Sequence, residues 1–158
     1  MGLRQQHHCR RHRVVVAVVA ASVVVLAGPG TGPASARQAS DDDGLRVRGV
    51  ASYRLDPAAR LVHVAVDLSV TNTTPDSASG DVVRRTYFPE VTVPVPVEAA
   101  NVTAVDGSGR AAAVRIDPVA DSPFAAGAVD LSPDLYYPGT RDLRLTYDLP
   151  DLHPAPRA

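Results

Sequence analysis

The chain has 158 residues, 16 basic and 17 acidic side chains, a formal net charge of −1 and one cysteine, enough length for one domain. Every basic residue is arginine and the lone cysteine is Cys9, which excludes a lysine Schiff base, a phosphate-loop lysine and an intrachain disulfide. The 14 prolines predict many turns.

Residues 1–36 read as a signal peptide with a short apolar helix. Arg4, Arg10, Arg11 and Arg13 form a positive start, residues 14–27 are apolar or small without charge, and glycines and prolines follow. Ala34-Ser35-Ala36 meets the small-x-small rule for cleavage, with Ala34 and Ala36 as the recognised residues. The expectation is a secreted, extracellular chain beginning at Arg37. The alternative is a protein anchored to the membrane by an uncleaved signal, its only route to a membrane. Beyond position 36 stand 12 arginines against 17 acidic residues, a formal −5. That balance argues against nucleic acid, which wants a basic face.

Residues 37–44 are polar, acidic and without periodicity, and read as a flexible leader. Leu45, Val47, Gly49, Ala51, Tyr53 and Leu55 then alternate with polar residues, the period of a strand buried on one face. The turn Asp56-Pro57-Ala58-Ala59-Arg60 follows. Residues 61–70 give the cleanest alternation, with Val62, Val64, Val66, Leu68 and Val70 on one side and His63, Ala65, Asp67 and Ser69 on the other. The two segments are expected to pair as a hairpin, with arginines of the first facing Asp67. Residues 71–80 read as a loop and residues 82–88 as a third strand. Residues 91–97 (VTVPVPV) read as an edge strand or crossover, because Pro94 and Pro96 cannot donate to a ladder. Residues 101–105 and 111–116 flank an Asp106-Gly107-Ser108-Gly109 turn. Residues 117–128 read as a loop, 129–131 as a short strand, 133–139 as a turn and 142–149 as the last strand. Residues 151–158 read as a disordered tail.

The expectation is an all-β, immunoglobulin-like antiparallel β-sandwich of about seven or eight strands over residues 45–150. Catalytic constellations are missing. Position 37 onward contains no cysteine, no H-E-x-x-H and no G-x-S-x-G, and its histidines are His63 and His153. His63 and Asp67 share a strand face, about 13 Å apart along it, too far for a hydrogen bond. No cofactor and no metal site is called for. Phe124, Tyr136 and Tyr137 are a candidate ligand platform, since aromatics make up only 4% of the chain. Asn72-Thr73-Thr74 and Asn101-Val102-Thr103 match the glycosylation sequon.

Tyr53-Arg54-Leu55-Asp56, Val70-Thr71-Asn72, Tyr87-Phe88-Pro89 and residues 141–150 (RDLRLTYDLP) carry a resemblance. Through them the chain resembles the N-terminal β-sandwich region of large secreted actinobacterial proteins. There, such a region precedes a transglutaminase-like or metallopeptidase-like region; none of the catalytic segments of those regions has a counterpart here. The expected function is a non-enzymatic interaction or accessory module whose partner is a protein or a cell-envelope polysaccharide. One alternative is the N-terminal, non-catalytic part of a larger secreted hydrolase. Another is a carbohydrate-binding surface module using Phe124, Tyr136 and Tyr137.

Overall fold

The structure, a computed structural model, describes residues 35–42 (as backbone), 44–80 and 82–150. The expected signal segment up to residue 34, with Ala34, and the expected tail at 151–158 lie outside the described residues. Among the described residues every regular element is a strand, and the sheets are antiparallel.

The strands are β1 (Ser35–Asp42), β2 (Leu45–Asp56), β3 (Leu61–Asn72), β4 (Ser77–Ser79), β5 (Val82–Arg84), β6 (Tyr87–Pro96), β7 (Ala100–Asp106), β8 (Ala111–Ala112), β9 (Val114–Asp117), β10 (Phe124–Tyr136) and β11 (Thr140–Pro150). A six-stranded sheet has the order β1-β2-β3-β11-β7-β8, and a three-stranded sheet the order β6-β10-β9. The pair β4-β5 forms a hairpin of its own.

The β2–β3 hairpin forms as its alternation requires, with Asp56 opposite Leu61 and Leu45 opposite Asn72. Its turn is fixed by Asp56, whose carboxylate accepts the Ala59 N–H at 3.0 Å. Leu45, Val47, Val64, Leu68 and Val70 are buried. Leu55 keeps their parity but is 75% exposed, because no layer lies beneath that end of β2. β11 pairs along the whole of β3, from Thr140 opposite Thr71 to Pro150 opposite Leu61. Its Leu143 and Leu145 are buried, as the alternation requires.

The second sheet supplies Phe88, Val91, Val93, Val95, Val129, Leu131 and Leu135 to the same cluster. One core therefore joins the two sheets. Burying each Val, Leu or Phe side chain contributes about 1.5–3 kcal/mol. Residues 111–117 connect the sheets on one side: β8 pairs with β7 up to Ala112, and from Val114 β9 pairs with β10. Between them the Ala113 carbonyl accepts the Asp130 N–H at 2.9 Å.

Several expectations change. Residues 37–42 were expected to be a leader; they continue β1, paired with β2 from Ser35–Ser52 to Asp42–Leu45. Backbone pairing needs no alternation of side chains, so the composition carried no sign of it. Residues 124–128 are the start of β10, not loop. Ala125, Gly127 and Ala128 are small because β6 packs closely there, and a Cβ on Gly127 would lie 2.7 Å from Val95 Cγ2. The expected strand at 82–88 is divided between β5 and β6. Residues 91–97 were read correctly as an edge: β6 is the outer strand of its sheet, where prolines leave no ladder bond unmade.

Candidate functional site

Asn72 is the one buried polar side chain among the described residues, at 1% exposure. Its Nδ2 donates to the carbonyls of Thr86 and Leu135, both at 3.1 Å, and its Oδ1 accepts the Thr74 N–H at 2.9 Å. One amide thus holds both ends of the excursion at residues 73–86 and ties it to β10. Next to it, Gly44 has φ +92°, and its carbonyl accepts the Thr73 N–H at 2.8 Å. A Cβ there would overlap Thr74 Oγ1. The Asn72 sequon therefore serves the core.

The outer face of the six-stranded sheet carries ionisable and hydroxyl side chains in rows. Its rows cross β2, β3, β11 and β7 as register partners. The first row is Arg54, His63 and Asp148. The second is Ser52, Ala65, Thr146 and Thr103, and the third Val50, Asp67, Arg144 and Val105. The fourth is Arg48, Ser69 and Asp142. Two adjoining depressions lie on this face. One, of about 720 Å³, is lined by the first row, by Ser52, Ala65 and Thr146 of the second, and by Asn101. The other, of about 860 Å³, is lined by the third and fourth rows and the turn at residues 106–109.

Cross-strand pairs hold these rows. His63 Nδ1 lies 2.6 Å from Asp148 Oδ1, and Asn101 Nδ2 donates to Asp148 Oδ2 at 2.8 Å. Asn101 reaches the carboxylate from a φ of +54°, where the β7–β11 register shifts between Thr146 and Asp148. The Asn101 amide, then His63, hold the Asp148 carboxyl below its usual range. An ionised carboxylate only accepts, so His63 Nδ1 carries the proton. On the other side of the ring, the Asp56 carboxylate stands 3.9 Å from Nε2. Asp67, expected to face arginines of the first strand, is bound by Arg144 of β11 at 2.7 and 3.1 Å. That carboxylate raises the Arg144 pKa. Val50, not arginine, is the β2 partner of Asp67. Thr103 and Thr146 share a hydroxyl hydrogen bond at 2.8 Å.

His63 with Asp148 is half of a nucleophile-activating arrangement: an acid orients the imidazole by Nδ1 and leaves Nε2 to act. The neighbouring hydroxyl, Ser52, donates to the Ala65 carbonyl at 3.3 Å, and among the described residues Nε2 meets the Asp56 carboxylate. Among the described residues the geometry orients a histidine without offering it a nucleophile. Among the described residues, no three His, Cys, Asp or Glu side chains group as metal ligands.

The three aromatics expected to form one platform are not brought together. Phe124 opens β10 opposite Pro96, whereas Tyr136 closes it opposite Tyr87. They are the first and last residues of this 13-residue strand, which rises roughly 3.3 Å per residue. Tyr136 instead meets Tyr87, with ring centroids 5.4 Å apart and planes tilted by 36°. Tyr137 follows, 40% exposed. Ala36, expected at the cleavage site, is in β1 opposite Ala51.

Asp106 closes its turn as expected. Its Oδ1 accepts the Ser108 hydroxyl, the Ser108 N–H and the Arg110 N–H. These bonds, the Ser108 hydroxyl first, bring its pKa down to about 2. Asp106 and Asp148 both titrate lower folded than unfolded. Their contribution is therefore present above the unfolded value of about 3.9 and drains as pH falls through the folded values. The urea midpoint is expected to fall between pH 4 and pH 2, and to fall less in Asp106→Asn. A midpoint constant or rising over that interval would refute the assignment.

Sequence reasoning missed Asp148, Asn101 and Asn72. Register across strands far apart in the chain was the missing signal. No known protein family, no curated protein sequence and no solved structure matches the chain.

Proposed function

We propose that the chain is a secreted, immunoglobulin-like β-sandwich that works by binding rather than by turnover, as an interaction or accessory module. The outer face of the six-stranded sheet carries this reading. Its two depressions adjoin, cross-strand pairs hold its ionic and hydroxyl side chains, and among the described residues His63 has an orienting acid without a nucleophile. Two antiparallel sheets contributing to one core support the sandwich architecture. The resemblance at residues 53–56, 70–72, 87–89 and 141–150 supports a place beside the N-terminal β-sandwich region of secreted actinobacterial proteins. The partner is a protein or polysaccharide met outside the cell.

Labelled protein is expected to bind cell-envelope preparations saturably. Ala65→Trp with Ser69→Trp, one bulky side chain in each depression, should weaken that binding at least tenfold. Saturable binding untouched by the double substitution would remove the face from the proposal. Turnover of an ester, peptide or glycoside substrate that vanished in His63→Ala would overturn the reading altogether.

A further inference from the structure

We infer that the smaller depression on the outer face is a furrow for a neutral, polyhydroxylated chain, such as a stretch of uncharged polysaccharide. This rests on the binding reading above and names its ligand class. The floor is Ser52, Ala65 and Thr146, and the row of small residues runs on in register to Thr103 of β7 at its end. At about 4.8 Å between strands the row is about 15 Å long. Longer side chains stand on both sides of it. His63 and Asp148 rise from the neighbouring row on one flank, Asp67 and Arg144 from the row on the other.

Charge selects against ionic ligands. Arg144 is held by Asp67 at 2.7 Å. Asp148 is held by His63 and Asn101, with Arg54 adding its positive charge nearby. Arg144 and Asp148 thus each have a partner within the protein, and a polyanion or polycation would have to displace it to gain that charge. An extended peptide draws its affinity from a free strand edge; β2, β3 and β11 are paired on both sides along this floor, and β7 meets β8 at Ala104 and Val105. Hydroxyl capacity remains: the Thr103–Thr146 bond uses one proton of the two hydroxyls, leaving a donor and further lone pairs. Donors and acceptors mixed along a neutral row suit sugar hydroxyls, which are both at once.

The test is affinity electrophoresis of the protein through gels containing soluble glucan, mannan or arabinogalactan, with polygalacturonate and chitosan gels as charged arms. Retardation by at least one neutral polymer is expected, persisting in 0.5 M salt (about 4 Å screening length). Ala65→Trp should weaken it at least tenfold and Thr146→Val severalfold, while Tyr136→Ala leaves it unchanged. Thr146→Val keeps the shape of the strand, so it decides the matter if the tryptophan variant does not fold. No retardation by any neutral polymer, retardation by a charged polymer alone, or full binding by both furrow variants would overturn the inference. Saturable envelope binding that the double tryptophan variant loses, without retardation by any polysaccharide, would refute the ligand class and leave the binding reading standing.

Discussion

Asn72→Leu is expected to destabilise the fold by roughly 3–5 kcal/mol, a large loss for one side chain replaced by another with the same branched skeleton. The reason is what it leaves behind. The carbonyls of Thr86 and Leu135 and the N–H of Thr74 each lose their partner, in a place where the side chain is 1% exposed. Asn72→Asp is a sharper probe. Its carboxylate would point at two carbonyl oxygens, and burial together with those dipoles would raise its pKa. A raised folded pKa means stability gained as pH falls, so the deficit relative to the parent should shrink from pH 7 to pH 4. Urea unfolding at the two pH values checks both points. A leucine variant within 1 kcal/mol of the parent, or an aspartate deficit that grows in acid, would show that the clamp is not carrying the load assigned to it.

Phe88→Ala should cost about 3–5 kcal/mol, the range for deleting a buried aromatic ring. Phe88 is 1% exposed and belongs to β6, opposite Leu135 of β10. Its ring also lies beneath Gly44 at the turn between β1 and β2, where a Cβ would be 3.6 Å from Cζ. It is thus a contact between sheets. Because one core serves both, the variant is expected to melt in a single transition at a lower temperature. Calorimetry that resolved two transitions, or a loss under 1 kcal/mol, would contradict a shared core.

The elements that alternate cleanly were legible in the sequence. β2, β3 and β11 each bury one face against a layer, so their valines and leucines recur every second residue. The Asp106 turn and the proline-bearing edge at β6 were legible because local chemistry dictates them. β10 was not, since its first half is alanine and glycine, chosen for closeness to β6 rather than for hydrophobicity. Nor was β1, whose residues (SARQASDD) show no apolar alternation. At the candidate site, His63 was noticed but weighed only against Asp67, four positions on, and set aside because the two stand too far apart along the strand. Its acid is Asp148, 85 positions away, and only the β3–β11 register makes them neighbours. Asn72 looked like the start of a polar loop because its burial is created by Thr86 and Leu135, each on another segment.

The β3–β11 ladder also sets the order in which the molecule can assemble. β3 ends at Asn72 and β11 begins at Thr140, so the centre of the six-stranded sheet waits for one of the last described strands to be synthesised. Until β11 arrives, the β2–β3 hairpin and β7 are separate pieces, and one edge of β3 stays open. Closing so long a loop before its contacts can form is what makes high-contact-order β proteins slow, on the scale of about milliseconds to seconds. A nascent chain stalled before residue 140 would present that open edge, with Val64, Leu68 and Val70 along it, to chaperones or to other unfinished chains.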